Sequence, residues 1–206
     1  MNRALHNIDV VAAIVLAIAT VATAWCAYQS TRWSGVQAVS FSQASAARIE
    51  SGREFNQAYQ ILSIDADLFT DWVAAYADGN TDLLTFYETS LIRPAFMPYL
   101  EEWVASRPLE NASALPNPIV NEQYRQELLA ESTRLRLEAE AKFVQATDAN
   151  QTGDNYVLLT VMFASVLFSA GISNKFERVK IQTTLVILAT AVLAFGFILI
   201  ASMPIH

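Results

Sequence analysis

The sequence predicts an all-α membrane protein: three transmembrane helices, with two long antiparallel stalk helices and a small helical cap outside the membrane. Three observations lead there. Two uncharged apolar runs close together, Tyr156 to Ser173 and Ile181 to Ser202, cover about 27 and about 33 Å as helices against a hydrocarbon core of about 30 Å. A third uncharged run, Val10 to Tyr28, lies near the start. Between them, Tyr28 to Asn155 carries nine Lys and Arg against eighteen Asp and Glu, a net of −9 within a chain total of −7.

Composition agrees with one membrane unit and one modest water-exposed unit. The chain has 206 residues, is 53% hydrophobic and has a mean hydropathy of +0.29, too apolar for an ordinary soluble domain. An acidic exposed segment repels phosphate backbones, which argues against nucleic acid as a partner. The single cysteine, Cys26, has no intrachain disulfide partner, and the two histidines, His6 and His206, lie too far apart in sequence for a histidine-rich metal site.

Residues 1–28 read as a short lead followed by the first transmembrane helix. Asp9 is placed to cap a helix starting at Val10, and Trp25, Tyr28 and Trp33 form an interfacial belt at its far end. A cleaved signal peptide is the competing reading, since Arg3 precedes the apolar run and Ala22-Thr23-Ala24 resembles a cleavage site. A lipid anchor on Cys26 is disfavoured by the bulk of Trp25 before it, and the thiol reads as a small apolar group.

Residues 29–155 read as an acidic helical domain outside the cytoplasm, made of a stalk (29–58), a cap (59–118) and a second stalk (119–155). The first stalk is rich in small residues, among them Ser34, Ala38, Ser42, Ala46 and Ala47, with Gly35 and Gly52 as candidate bends. Tyr59 to Asp78 is amphipathic, with Ile61, Ile64, Leu68, Trp72, Ala75 and Tyr76 on one stripe, Asp65, Asp67 and Asp71 mostly off it, and Gly79 as its stop. Thr81 to Leu91 and Pro94 to Ser106 are two shorter helices, the second opened by Pro94. Arg107 to Pro118 is a loop with three of the six prolines. Asn121 to Asn150 is helical, with Tyr124, Leu128, Leu135, Ala139, Phe143 and Ala146 near a heptad seam. Only Gly153 separates it from Tyr156, so it runs into the second span.

Residues 156–206 form a transmembrane hairpin around the link 174–180. That link of seven residues contains Lys175, Arg178 and Lys180, and short basic loops stay in the cytoplasm. With Arg3 on the same side, the amino terminus is cytoplasmic, while 29–155 and His206 lie outside, with Tyr156 at the outer boundary beside Trp25 and Tyr28. The expected location is therefore a membrane, and the resemblance described below implies that it is a bacterial inner membrane.

Motifs for chemistry are sparse. Asp78 to Asp82 imitates the start of a calcium loop, but Leu83 and Thr89 stand where glycine and glutamate are needed. Asp67 and Asp71 share a helix face and read as a solvated acidic surface. Glu101 and Glu102 are adjacent and point apart, no phosphate loop is present, and no intramembrane charge serves a proton relay. The expectation is no enzyme, no cofactor and no metal.

Ser165, Ser169 and Ser173, with Ala13 and Ala17 on the first run, follow spacings that let helices approach closely. They are candidate packing or oligomer contacts, and Trp72, Phe96 and Trp103 are candidates for a cap contact surface. The expected partners are the lipid bilayer and either further copies or other membrane subunits. The leading functional expectation is a non-enzymatic assembly or scaffolding protein. A homo-oligomeric, cation-preferring channel with an acidic outer vestibule is the alternative, and an envelope or lipid enzyme comes last.

The phrases TAWCAYQSTRWSGVQA (23–38), DLFTDWVAAYADGN (67–80) and DNYVLLTVMFASVLFSAGIS (154–173) resemble a family of uncharacterised bacterial inner-membrane proteins. The likeness covers nearly the whole chain and implies a bacterial origin, one amino-terminal span, a helical insert and a carboxy-terminal two-span hairpin. It implies no catalytic residues.

Overall fold

The computed structural model describes residues 2–108, 110–176 and 178–206, with side chains from Asn7 onward. The side chain of Arg3, one of the expected orientation markers, lies outside this description. Five α-helices run in order: α1 (Asn2–Ala77), α2 (Thr81–Phe86), α3 (Met97–Ala105), α4 (Glu122–Ser173) and α5 (Val179–Ser202). A π-helical turn, Tyr87–Leu91, and a 3-10 turn, Pro118–Val120, complete the described elements, and no strand occurs among the described residues. Helices α1, α4 and α5 are each long and apolar enough to cross a membrane.

Several boundaries differ from expectation. The first span, the following small-residue stretch and the amphipathic segment to Ala77 are one helix of 76 residues. Gly35 and Gly52 do not interrupt it. Asp9 is not a cap: the helix is already formed at Asn2, and the Asp9 carboxylate instead accepts from Gln182 Nε2 at 2.6 Å. Helix α3 begins at Met97 with Pro98, not Pro94, in its first turn. Gly79 does end α1, at φ +68, a conformation that favours glycine.

The chain packs as two compact units, one of residues 1–43 and 141–206, the other of residues 44–140. In the first, α1, α4 and α5 form a three-helix bundle whose core holds Val15, Ala19, Ala22, Cys26, Tyr156, Leu159, Phe163, Val166, Ala170, Ala189 and Leu193. Buried positions on α1 run Ala12, Val15, Ala19, Ala22, Cys26, Gln29, alternating steps of three and four as in a heptad seam. On α4 the seam continues through Tyr156, Phe163, Val166, Ala170 and Ser173. Antiparallel pairing follows from Gln37 bonding Asn150 at 2.7 Å and from Gly153, which lies against Ser30 and Trp33. Phe143, expected on the seam, is exposed and lies 5.6 Å from the Phe41 ring. The seam register passes it by, because Ala139 and Ala146 take the buried places.

In the second unit, residues 44–77 of α1 and 122–140 of α4 pack antiparallel, with Ser51 Oγ donating to Ser132 O at 2.7 Å. Ala44, Ala47, Ala58, Asp65, Phe69, Trp72 and Ala75 are the buried α1 positions along this stretch. A cluster of Phe69, Trp72, Ile92, Phe96, Tyr99, Leu100, Trp103 and Tyr124 then gathers α2, α3 and the intervening turns. Asn80 caps α2 by accepting from Leu83 N. Asn121 does the same for α4 through Gln123 N and Tyr124 N.

Candidate functional site: an outward apolar face and three buried polar clamps

The first unit is packed inside out relative to a protein dissolved in water. Its α1 seam is built from alanines, a valine, a cysteine and a glutamine, whereas Val10, Val11, Ile14, Ile18, Val21 (71% exposed) and Trp25 face outward. Helix α4 repeats this with Leu158, Val161 and Phe168 outward, and α5 with Ile187, Leu188, Phe195 and Ile198. The small residues bring the backbones together, and the large apolar ones are left for the surroundings. A monomeric soluble protein rarely leaves so large a continuous apolar surface.

Ala13, Ala17 and Ser165 face outward, Ser169 is half-buried and Ser173 is fully buried. The hydroxyls of this serine row are satisfied within α4: Ser165 donates to Met162 O at 2.6 Å, Ser169 to Ser165 O at 2.8 Å and Ser173 to Ala170 O at 2.6 Å. Packing inside the bundle falls instead to Ala12, Ala19, Ala22 and Gly196. A Cβ on Gly196 would stand 2.5 Å from the Phe163 ring.

A polar clamp closes each end of this bundle. At one end, the segment after α5 is held by three side chains: Gln29 Nε2 donates to His206 O at 3.3 Å, and Gln29 Oε1 accepts from His206 N at 3.0 Å. Trp33 Nε1 and Tyr156 Oη both donate to Pro204 O, at 3.3 and 3.1 Å. Tyr156 is therefore not an outward anchor. It is fully buried because its hydroxyl has a partner inside the bundle. Trp25 and Tyr28 do face outward, with ring centroids 6.0 Å apart. At the other end, Gln182 bonds Asp9 and, at 3.4 Å, Asn174 Oδ1. The basic residues of the adjoining link, Lys175, Arg178 and Lys180, are exposed.

The third clamp lies in the second unit, where sequence periodicity placed Asp65 off the buried stripe. Asp65 is fully buried. Arg93 grips both its oxygens, from Nε at 3.1 Å and Nη2 at 2.5 Å, and Tyr124 Oη donates to the same carboxylate. The bond to Asp65 raises the Arg93 pKa further. Burial, then the bond to Asp65, pushes the Tyr124 phenol well above its ordinary value. Trp72, Phe96 and Trp103, expected on a contact surface, are interior, at 2, 0 and 6% exposed. Their indoles find partners there, Trp72 Nε1 on Glu88 at 3.1 Å and Trp103 Nε1 on Leu115 O at 2.8 Å, so burial leaves no polar atom unmet.

Among the described residues no group of three or more His, Cys, Asp or Glu is placed to hold a metal ion. Asp67 and Asp71 are exposed, and the Cys26 thiol is buried. Compared with protein-family models, with characterised proteins and with solved structures, the chain matches none.

Proposed function

We propose that this chain is a non-enzymatic integral membrane protein of a bacterial inner membrane, acting in assembly or scaffolding as a homo-oligomer or as an accessory subunit of a membrane complex. The observation that carries the reading is the outward apolar face of α1, α4 and α5 around a seam of small residues, an arrangement suited to lipid. Trp25 and Tyr28 suit one bilayer boundary. The exposed link with Lys175, Arg178 and Lys180 suits the cytoplasmic one and supports the reading in which residues 29–155 lie outside the cytoplasm.

Assembly is supported by a second surface. The helices of residues 44–140 carry many charges, yet Ile49, Tyr59, Ile64 and Leu137 are all more than half exposed. Apolar side chains among charged ones call for protein rather than lipid cover. The outward Ala13, Ala17 and Ser165 give a close-approach face within the membrane portion. A channel draws less support, since Val15, Phe163 and Leu193 fill the core of a single bundle and a lumen would require several copies.

Purification into nanodiscs from native membranes, followed by native mass measurement, tests this. More than one copy per particle, or a stoichiometric second membrane subunit, is the expected result. A solitary monomer would remove the assembly reading, and a chain that stays dissolved without lipid or detergent would remove the membrane reading as well.

A further inference from the structure

The second unit contains a groove that its core does not use. It has a volume of about 490 Å³ and is lined by Arg48, Ser51, Gly52, Phe55 and Asn56 on α1 and by Leu129, Ser132, Thr133 and Arg136 on α4. Small-molecule sites are of this size, roughly 300–1,000 Å³. No carboxylate lines it, although the segment from Tyr28 to Asn155 carries eighteen. On α4 the acids stand elsewhere: Glu131 and Glu138 both pair with Arg134.

The antiparallel register gives the groove two unlike ends. Because Ser51 meets Ser132, Arg48 lies level with Arg136, and Phe55 lies level with Leu129. The seven-residue step between these levels is about 10 Å along a helix. Two guanidinium groups thus mark one end, the hydroxyls of Ser51, Ser132 and Thr133 the middle, and an aromatic ring and a leucine the other end. Gly52 opens the wall between them: no atom lies within 4 Å of where its Cβ would be. Both arginines already have partners within the chain; that of Arg136 is Glu140 at 2.7 Å, with both side chains more than half exposed. Such a pair contributes little and yields to a better-placed anion.

We propose that this groove binds an anionic amphiphile, with one phosphate or carboxylate headgroup between Arg48 and Arg136 and an alkyl or aryl body against Phe55 and Leu129. Arginine pairs suit either anion through forked hydrogen bonds. The graded polarity from one end to the other selects a ligand with a head and a tail over a uniformly charged one. A docked partner helix is the competing occupant, and it would span more than the two to three turns that the groove offers.

The test uses the full chain in nanodiscs and titrates octyl phosphate and octanoate, with inorganic phosphate and octanol as headgroup-only and tail-only probes. At least one amphiphile should bind saturably, about tenfold or more tighter than either fragment. Arg48→Gln with Arg136→Gln should weaken that binding about tenfold or more. Gly52→Leu, which fills the groove, should abolish it with helix content by circular dichroism unchanged. Equal uptake by wild type and the double-glutamine variant would show partition into lipid alone and overturn the proposal. So would a Gly52→Leu variant that still binds, or one whose only change is the loss of association between copies, which would assign the groove to a protein contact.

Discussion

Arg93 holds Asp65 by both carboxylate oxygens, at 3.1 and 2.5 Å, at a point where Asp65 has no access to solvent and Arg93 keeps a third of its side chain exposed. This asymmetry sets what each substitution does. Asp65→Ala should destabilise the second unit by about 3 kcal/mol, the lower end for breaking a buried pair, because Arg93 retains a route to water while Tyr124 loses its acceptor. Replacing both Asp65 and Arg93 by leucine should cost less than Asp65→Ala alone, since no uncompensated charge remains. Urea unfolding followed by tryptophan fluorescence checks both, and a larger loss in the double variant would contradict the account.

The tie between Tyr99 and Glu127 makes stability depend on pH at both extremes. Hydrogen bonding to the Glu127 carboxylate, reinforced by burial, pushes the Tyr99 phenol up to about 12, whereas an unfolded tyrosine titrates near 10. Below about pH 10 both states keep the proton and the contribution is complete. Between about 10 and 12 the unfolded state ionises first, so stability falls as pH rises through the folded value. Glu127 is lowered by the same bond, so its contribution is present above the ordinary carboxylate range and is lost as pH falls through the depressed value. Tyr99→Phe should flatten part of the alkaline slope in denaturation curves taken across pH. Superimposable curves for the two proteins would count against this tie.

Gly196 sets the spacing of α4 and α5. A Cβ there would lie 2.5 Å from the Phe163 ring and 2.7 Å from the Met162 methyl. Met162 can swing aside, but Phe163 is fully buried. Gly196→Leu should therefore lose about 1–3 kcal/mol or more through overpacking, read as a lower melting temperature in detergent. Adding Phe163→Ala should recover part of it. No recovery would mean that the crossing is set elsewhere.

The clamp at the end of α5 predicts a local effect. Tyr156→Phe deletes one of two donors to Pro204 O and should cost about 1 kcal/mol. Gln29→Ala removes both bonds to His206. Hydrogen exchange at the amides of Met203, Ile205 and His206 should accelerate in each variant, more in Gln29→Ala, while the α1 seam stays protected. Unchanged exchange would show that the segment is held by apolar contact alone.

Equal exposure should have unequal meaning in the two units. Val21 and Ile49 are 71 and 73% exposed. On the proposed membrane reading, Val21→Arg should impair membrane integration by about 2.5–3.5 kcal/mol. Ile49→Arg should leave integration unaffected. Insertion assays on the two variants check this, and a harmless Val21→Arg would place that face in water.

The helical class, the three long apolar runs, the stop at Gly79 and, short of the 3-10 turn that opens at Pro118, the irregular stretch 110–117 were legible in the sequence, because each rests on local chemistry: length and absence of charge for the runs, and backbone freedom for the stop. The face that each helix turns inward was not. In the runs every side of the helix is apolar, so periodicity carries no contrast between lipid and neighbour, and only packing chose Ala12, Ala19 and Ala22 for the interior over Ala13 and Ala17. The burial of Asp65 was equally hidden, since an aspartate reads as a surface residue until Arg93 and Tyr124, distant in sequence, are folded against it. Trp72, Phe96 and Trp103 show the same limit. Each aromatic suited a contact surface or a core, and only the surrounding helices, by supplying acceptors for the two indoles, made the core the lower-energy place.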